Sequence, residues 1–134
     1  MYERMRESAA FLSRAFGGRI PSVALVLGSG LGPLADELKD PVTVPFGEVP
    51  YFCRSTAPDH AGRLVLGELS GKTVLCMQGR LHGYEGYTPA EVSYPIPVFK
   101  LLGVKTVILT NAAGGINLDF SAGDFMVIDD HINF

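Results

Sequence analysis

The fold of this chain is decided by the stretch VALVLGSGLG, Val23–Gly32. Its first half is an uninterrupted apolar run of strand length, as expected for a strand covered on both faces in a parallel sheet. Its second half is a glycine-rich turn, and Pro33 then stands where a helix would begin, which predicts a short helix to about Lys39. A strand, a glycine-rich turn and a helix in this order can hold an anion on backbone N–H groups, with the Ser29 hydroxyl beside them. A tight turn that needs its glycines only for geometry is the alternative interpretation.

The glycine spacing in this turn disfavours the common nucleotide-binding loops. Glycines stand at 28, 30 and 32, whereas the dinucleotide fingerprint needs its third glycine one place later, where Pro33 stands. The turn also lacks the Gly-Lys-Ser/Thr of a phosphate-binding loop of the nucleotide triphosphatases. Ser29 lies in Gly-Ser-Gly rather than in the Gly-x-Ser-x-Gly elbow of a serine hydrolase. The turn is therefore interpreted as a site for a small anion.

Two further apolar runs end in loops rich in glycine and polar residues. Thr73–Met77 predicts a buried strand that leads into GRLHGYEGY, Gly79–Tyr87. Val104–Leu109 predicts another buried strand that leads into TNAAGG, Thr110–Gly115. Each loop thus leaves the carboxyl end of a strand, which is where open α/β sheets bind their ligands.

The three loops are expected to converge on one pocket, with Ser29, Arg80 and Ala112 at its edge. This expectation depends on the strands being parallel, because only then do their carboxyl ends meet at one edge of the sheet. Arg80 presents a planar fork of donors suited to phosphate or carboxylate, and the glycines allow backbone to approach a ligand closely. A surface loop with a solvated arginine and a packed tyrosine is the alternative.

The remaining elements are predicted from local signals. A first helix is predicted from about Tyr2 to Phe16, and an edge strand at Val42–Val44. A β-hairpin is predicted from Arg63–Leu69 and Lys72–Met77, joined at Ser70-Gly71. A further helix is predicted to start at the capping box Thr88–Glu91, to break at Pro95 and Pro97, and to stop at Gly103.

Composition narrows the class of protein. With 134 residues the chain has room for one domain, and its net charge of -3 without a Lys/Arg cluster argues against nucleic acid or a membrane surface as a partner. Two cysteines, Cys53 and Cys76, are too few for a disulfide scaffold and lack metal-type spacing. The amino terminus is charged and amphipathic rather than a signal peptide, and no apolar run approaches the ~20 residues needed to cross a bilayer. These features predict a cytoplasmic protein with reduced thiols.

The chemistry that these loops suit best is the binding of an oxyanion such as phosphate. Backbone N–H groups, a hydroxyl and the Arg80 guanidinium would supply the hydrogen bonds, with His60 and His82 as further candidates. The histidines have no carboxylate partner at a suggestive spacing, so a packed or surface histidine is the alternative for each.

Five motifs, in order along nearly the whole chain, resemble those of the trimeric purine nucleoside phosphorylases. They are LGSGLG at Leu27–Gly32, HAGRL at His60–Leu64, QGRLHGYEGY at Gln78–Tyr87, TNAAGGIN at Thr110–Asn117, and Gly123-Asp124 followed by DHIN at Asp130–Asn133. The resemblance implies an α/β fold, a mixed twisted sheet flanked by helices, in a single domain over residues 1–134 that corresponds to the family's amino-terminal portion, with the carboxyl-terminal part absent. It also implies a pentosyltransferase that reversibly cleaves purine ribo- or deoxyribonucleosides with phosphate, which gives the free base and pentose 1-phosphate. The resemblance further implies a homotrimer at full length, with inorganic phosphate as co-substrate and no other cofactor.

The resemblance assigns roles residue by residue. The family's phosphate site matches Ser29, His60, Arg80, His82 and the backbone of Ala112, the pentose contact matches Tyr84, and one wall of the base pocket matches Ala112, Ala113 and Gly114. The residues that hold the purine belong to the family's second half, so no catalytic residue is assigned to this chain.

Three positions depart from the family pattern. Asp59 stands where relatives usually have glycine before the motif histidine, Gly83 replaces a bulkier residue, and Pro97 falls where arginine is common. Two alternatives to a purine nucleoside phosphorylase also remain: a non-catalytic fragment that keeps only an anion site and, within the enzyme class, a methylthioadenosine phosphorylase. The glycine loop of the latter typically carries threonine, so Ser29 favours a purine nucleoside as substrate. The residues present do not distinguish 6-oxo from 6-amino purines.

Overall fold

A mixed five-stranded sheet forms the centre of the protein, in a computed structural model that describes residues 1–54 and 61–132. Its strands are β1 (Val23–Leu27), β2 (Lys39–Pro45), β3 (Arg63–Leu69), β4 (Lys72–Gln78) and β5 (Thr106–Leu109), and its helices are α1 (Tyr2–Ala15), α2 (Pro89–Ser93) and α3 (Pro95–Leu101). Short 3-10 helices cover Gly32–Glu37, Phe46–Glu48 and Gly83–Glu85.

The sheet order is β2-β3-β4-β1-β5, with two different kinds of pairing. β2, β3 and β4 pair antiparallel, as expected for the predicted hairpin and its edge strand. β1 pairs parallel with β4 on one side and with β5 on the other, so Leu27 lies opposite Gln78, and Val26 lies opposite Leu109. The predicted mixed sheet is confirmed, and three parallel strands end at the same edge.

Helices α1 and α3 cover one face of the sheet. Leu12 and Phe16 from the first helix and Phe99 from the third are fully buried in a core that also holds Leu64 and Leu75. Burying side chains of this size stabilises the fold by roughly 1.5–3 kcal/mol each. The predicted first helix is confirmed.

The opposite face is covered by the 3-10 helix that follows the glycine-rich turn. Ala35 and Leu38 pack there against Val65 and Cys76. The predicted short helix is present as a 3-10 helix that ends at Glu37, two residues before the predicted end, because Leu38 is extended (φ -66°, ψ 136°) and the next residue begins β2.

The break between α2 and α3 follows the prediction. The Thr88 hydroxyl accepts a hydrogen bond from the Glu91 N–H at 3.3 Å, and a Glu91 carboxylate oxygen accepts one from the Thr88 N–H at 2.8 Å. The bond from the Thr88 N–H, together with one that the Thr88 hydroxyl donates to the same carboxylate oxygen at 2.7 Å, holds the pKa of Glu91 below its ordinary value. Pro95 then opens α3, and Gly103, at φ 103°, follows its end.

β5 and the segment after it expose apolar side chains. Val104 is buried, but Ile108 is 46% exposed and Leu109 is 71% exposed. The prediction of a buried strand over Val104–Leu109 was therefore wrong for its last residues, because in the described part of the chain β5 is an edge strand without a layer over its end. Phe125 is 97% exposed in the segment that follows.

The two cysteines are free thiols. Burial raises the pKa of Cys76 to about 11, which keeps this thiol protonated and unreactive near neutral pH. Over the two described ranges of the chain, no helix is long and apolar enough to span a membrane.

Candidate functional site

The loops that follow β1, β4 and β5 meet at one edge of the sheet. The Gly28 N–H donates a hydrogen bond to Thr110 Oγ1 at 2.8 Å, which joins the end of β1 to the end of β5. Arg80 Nη1 donates to the Thr110 carbonyl oxygen at 3.0 Å, which adds the loop after β4. The three strand ends meet through direct contacts, as predicted, whereas their convergence on one pocket stays a prediction.

Thr110 is the residue that joins these loops. Its hydroxyl accepts from Gly28, donates to the Val26 carbonyl oxygen at 2.8 Å, and lies half-buried at the end of β5. Its carbonyl oxygen holds Arg80. The role of Thr110 was not predicted, because spacing along the chain does not show which backbone group its hydroxyl will bind. The one sequence feature that could have indicated this role is the position of the threonine between a predicted strand and a glycine-rich loop.

Gly28 has no room for a side chain. A Cβ atom at this position would lie 2.5 Å from the Thr110 carbonyl oxygen and 3.0 Å from Asn111 Cα. The glycine therefore serves the close approach of two loops, which is the geometric role named above as the alternative. Since its N–H is bonded to Thr110, the N–H groups of Ser29 and Gly30, at the exposed tip of the turn, become the candidates for binding an anion.

The loop after β4 presents its polar side chains in a fixed order. Arg80 is half-buried, and the rings of His82 and Tyr84 stack with centroids 4.7 Å apart and planes 12° apart. The His82 N–H donates to a Glu85 carboxylate oxygen at 2.8 Å, which closes the turn. Tyr84 is 78% exposed. The alternative of a solvated arginine with a packed tyrosine does not describe this loop, because Arg80 is bonded to Thr110 and Tyr84 is open to solvent.

The predicted base-pocket residues lie beyond Thr110. Ala112, Ala113 and Gly114 are all exposed. Ala113 and Gly114 line a cavity of about 660 Å³ formed by the segment after β5, together with side chains such as Phe120 and Met126.

Three positions named from the sequence lie outside the described residues: Asp59, His60 and Asn133. Among residues 1–54 and 61–132, no group of three or more His, Cys, Asp or Glu side chains is arranged to hold a metal ion. Within the described residues, the candidate site consists of the Ser29 turn, the Arg80–Tyr84 loop and the start of the Ala112 segment.

Thr110→Val is expected to lower the free energy of unfolding by about 1–3 kcal/mol. The substitution keeps the shape of the side chain but leaves the Gly28 N–H without its acceptor and removes one of the two donors to the Val26 carbonyl, which keeps its bond from the backbone N–H of residue 110 at 3.2 Å. Urea denaturation followed by circular dichroism measures the change. Thr110→Ser, which keeps the hydroxyl, is the control and is expected to lose less. Equal stability of the valine variant and the native chain would contradict the role given to this hydroxyl.

The chain matches the sequence profile of the family described as the phosphorylase superfamily over residues 22–134. It is 51% identical to purine nucleoside phosphorylase 1 of Bacillus subtilis over 134 residues, which cover 100% of this chain and 49% of that protein. It is 49% identical to purine nucleoside phosphorylase of Bos taurus over 132 residues, which cover 98% of this chain and 45% of the relative. The chain thus spans about half the length of the curated relatives it matches.

Solved structures give the same picture. Isoform 2 of purine nucleoside phosphorylase from Schistosoma mansoni, in complex with cytosine and ribose-1-phosphate, superposes with a TM-score of 0.82 at 41% identity, over 92% of this chain and 43% of that one. The Schistosoma mansoni enzyme in complex with adenosine gives a TM-score of 0.81 at 43% identity, over 91% of this chain and 42% of that one. The predicted fold is confirmed by these similarities.

Proposed function

We propose, from the premise that this chain belongs to the phosphorylase superfamily, that it supplies the phosphate-binding part of a purine nucleoside phosphorylase. The longer enzyme would cleave purine ribo- and deoxyribonucleosides reversibly with phosphate, giving the free base and the pentose 1-phosphate. The observation that carries this proposal is the contact of the Ser29 turn and Arg80 through Thr110 at one edge of the sheet.

In the proposed reaction the protein forms no covalent bond to the substrate. A phosphate oxygen forms a bond to the anomeric carbon of the pentose, the bond from that carbon to the purine nitrogen breaks, and the purine leaves with the electron pair and takes up a proton. The protein positions the phosphate beneath the sugar and stabilises the charge that develops on the base. Arg80 would clamp the anion with charge-assisted hydrogen bonds, while Ser29 and the tip of the turn would orient it.

The neighbouring groups suit a sugar next to that phosphate. Tyr84 stacks on His82, so a phenol faces solvent directly beside a candidate phosphate ligand. Ala112, Ala113 and Gly114 offer small side chains along which a flat base can lie. Solved structures of the Schistosoma mansoni relatives hold ribose-1-phosphate or adenosine, and we extend that ligand class to this chain.

The proposal extends to the domain organisation, localisation, oligomeric state and cofactor of the enzyme. Residues 1–134 form a single α/β domain of a cytoplasmic enzyme of purine salvage that is homotrimeric at full length and uses no cofactor besides its phosphate co-substrate. His60 is proposed as a further phosphate ligand from the motif alone. The 51% identity to a purine nucleoside phosphorylase supports this setting.

Calorimetric titration of the chain with inorganic phosphate tests the proposal. At constant ionic strength set with chloride, we expect saturable binding that ribose 1-phosphate competes away. Sulfate, an oxyanion of similar shape, is expected to compete, and chloride is not. A chain that shows no saturable phosphate binding would contradict the proposed site.

Tyr84→Phe is expected to weaken binding of ribose 1-phosphate by about 2- to 10-fold, the value of one hydrogen bond, while binding of inorganic phosphate stays unchanged. The comparison of the two ligands isolates the sugar contact, because both share the phosphate group. Tyr51→Phe, which alters an exposed phenol bonded to Glu7, is the matched control. If Tyr84→Phe left both affinities untouched and Tyr84→Ala lowered the melting temperature, Tyr84 would instead be a structural prop of its loop.

A further inference from the structure

We propose that Gln78 and Arg63 are positioning residues that hold the glycine-rich turn in its anion-binding conformation. The inference rests on the proposed phosphate site and deepens it. It concerns two side chains to which the family resemblance assigns no role.

Gln78 is a buried polar side chain at the last position of β4. It is 8% exposed and lies opposite Arg63 of β3 in the antiparallel pair. Its Oε1 accepts a hydrogen bond from Arg63 Nε at 2.6 Å, and its Nε2 donates one to the Gly32 carbonyl oxygen at 2.8 Å. One amide thus connects the hairpin to the end of the turn.

Arg63 determines which way that amide faces. A guanidinium can only donate, so it requires the oxygen of the Gln78 amide on its side and directs the NH2 group to Gly32. Arg63 Nη2 also contacts an Asp36 carboxylate oxygen at 3.3 Å. Because Gly32 and Asp36 belong to the same 3-10 helix, the contacts form a closed ring from that helix through Arg63 and Gln78 and back.

The glycine-rich turn is consequently held at both of its ends. Thr110 binds the Gly28 N–H on one side, and Gln78 binds the Gly32 carbonyl on the other. Between these two points lie Ser29 and Gly30, the groups proposed to face the anion. Glycine-rich backbone loses more conformational freedom on ordering than other sequences, so ordering it before the ligand arrives raises affinity.

The Gly32 carbonyl gives the second reason for this contact. A carbonyl oxygen turned toward a phosphate would repel it, whereas an oxygen already bonded to the Gln78 amide is held against the sheet. Neither Gln78 nor Arg63 needs to touch the phosphate for this effect. They act through the turn.

Gln78→Met tests the inference without changing charge or much volume. In the 134-residue chain, we expect the Kd for inorganic phosphate to rise about 3- to 10-fold, the value of one lost hydrogen bond. We also expect faster hydrogen exchange at the Leu31 and Leu34 amides, whose bonds to Gly28 and Leu31 define the turn. Val74→Ala is the control: Val74 is buried on the same face of β4, so the substitution costs stability without removing a hydrogen bond to the turn. Its phosphate Kd is expected to stay within about 2-fold of the native value, below the value of one hydrogen bond.

The possible results separate this inference from the proposed function. Unchanged Kd and unchanged exchange in Gln78→Met would overturn the inference and leave the phosphate site standing. Faster exchange with an unchanged Kd would make the pair structural only and would also overturn it. If the native chain binds no phosphate, the proposed function falls, and with it the positioning role. Should Gln78→Met fail to fold, Gln78→Glu keeps the bond from Arg63 and removes the donor to Gly32, so its exchange at Leu31 decides whether the amide holds the turn.

Discussion

The 134-residue chain is expected to convert inosine and phosphate to hypoxanthine at least about 10²–10³-fold more slowly than a full-length relative, the cost of losing even one preorganised contact to a developing charge. The purine gains negative charge as its bond to the sugar breaks, and stabilising that charge requires donors in a site that excludes water. Here Tyr84 is 78% exposed, and Ala112, Ala113 and Gly114 all lie open to solvent. The chain covers 49% of the length of its Bacillus subtilis relative, and the family resemblance places the purine-holding residues in the other part.

The measurement is hypoxanthine or guanine release from inosine or guanosine at saturating phosphate. The same assay is then repeated with a separately produced carboxyl-terminal half of the Bacillus subtilis relative, and with that half alone as the control. Gain of activity only in the mixture would support division of the site between the two parts. Robust turnover by the chain alone would contradict the prediction and place base-binding residues among those described above.

Arg80→Ala is expected to weaken phosphate binding by about 1.5–3 kcal/mol, which is roughly 10- to 150-fold in Kd. Arg80 is the cation that the structure places at the meeting point of the strand ends, half-buried and bonded to the Thr110 carbonyl. A guanidinium forms two parallel bonds to a phosphate, and its partial burial lowers the screening by water. Calorimetric titration with inorganic phosphate measures the loss.

Two variants sharpen this experiment. Arg80→Lys keeps the charge but loses the planar fork, so an intermediate affinity is expected. Arg14→Ala removes the same charge from the exposed last turn of α1 and is expected to leave Kd unchanged apart from a small change in the overall field. Phosphate binding that survives in Arg80→Ala would remove this arginine from the site.

Local patterns predicted most elements of the fold. Continuous apolar runs gave the strands, Ser70-Gly71 gave the hairpin turn, and the Thr88–Glu91 capping box gave the start of α2. Each of these signals lies within a few residues of the element it specifies. The 3-10 type of the Gly32–Glu37 helix was not predicted, and the exposure of Leu109 was mispredicted, because both depend on what packs against the segment in three dimensions.

The loops that form the candidate site could be predicted from the sequence, but the hydrogen bonds that join them could not. The meeting of the three strand ends follows from parallel strands, and the structure confirms it through the contacts of Gly28 and Arg80 with Thr110. The bonds of Thr110 and Gln78 join residues far apart in sequence, and the register of the sheet decides them. The ligand-binding roles assigned to all of the site residues stay predictions, and the binding experiments above test those of Arg80 and Tyr84.

The position of β1 between β4 and β5 also bears on the order in which the chain can fold. β1 is among the first elements of the sequence, yet both of its partners, β4 and β5, come much later in the chain. The β3–β4 hairpin needs only a two-residue turn and can close early, whereas the parallel pairs must first close long loops at a cost in chain entropy. Because Gly28 and Arg80 meet through Thr110, which follows β5, they come together only after the last strand has docked. We therefore expect affinity for an anion to appear only after β5 has docked.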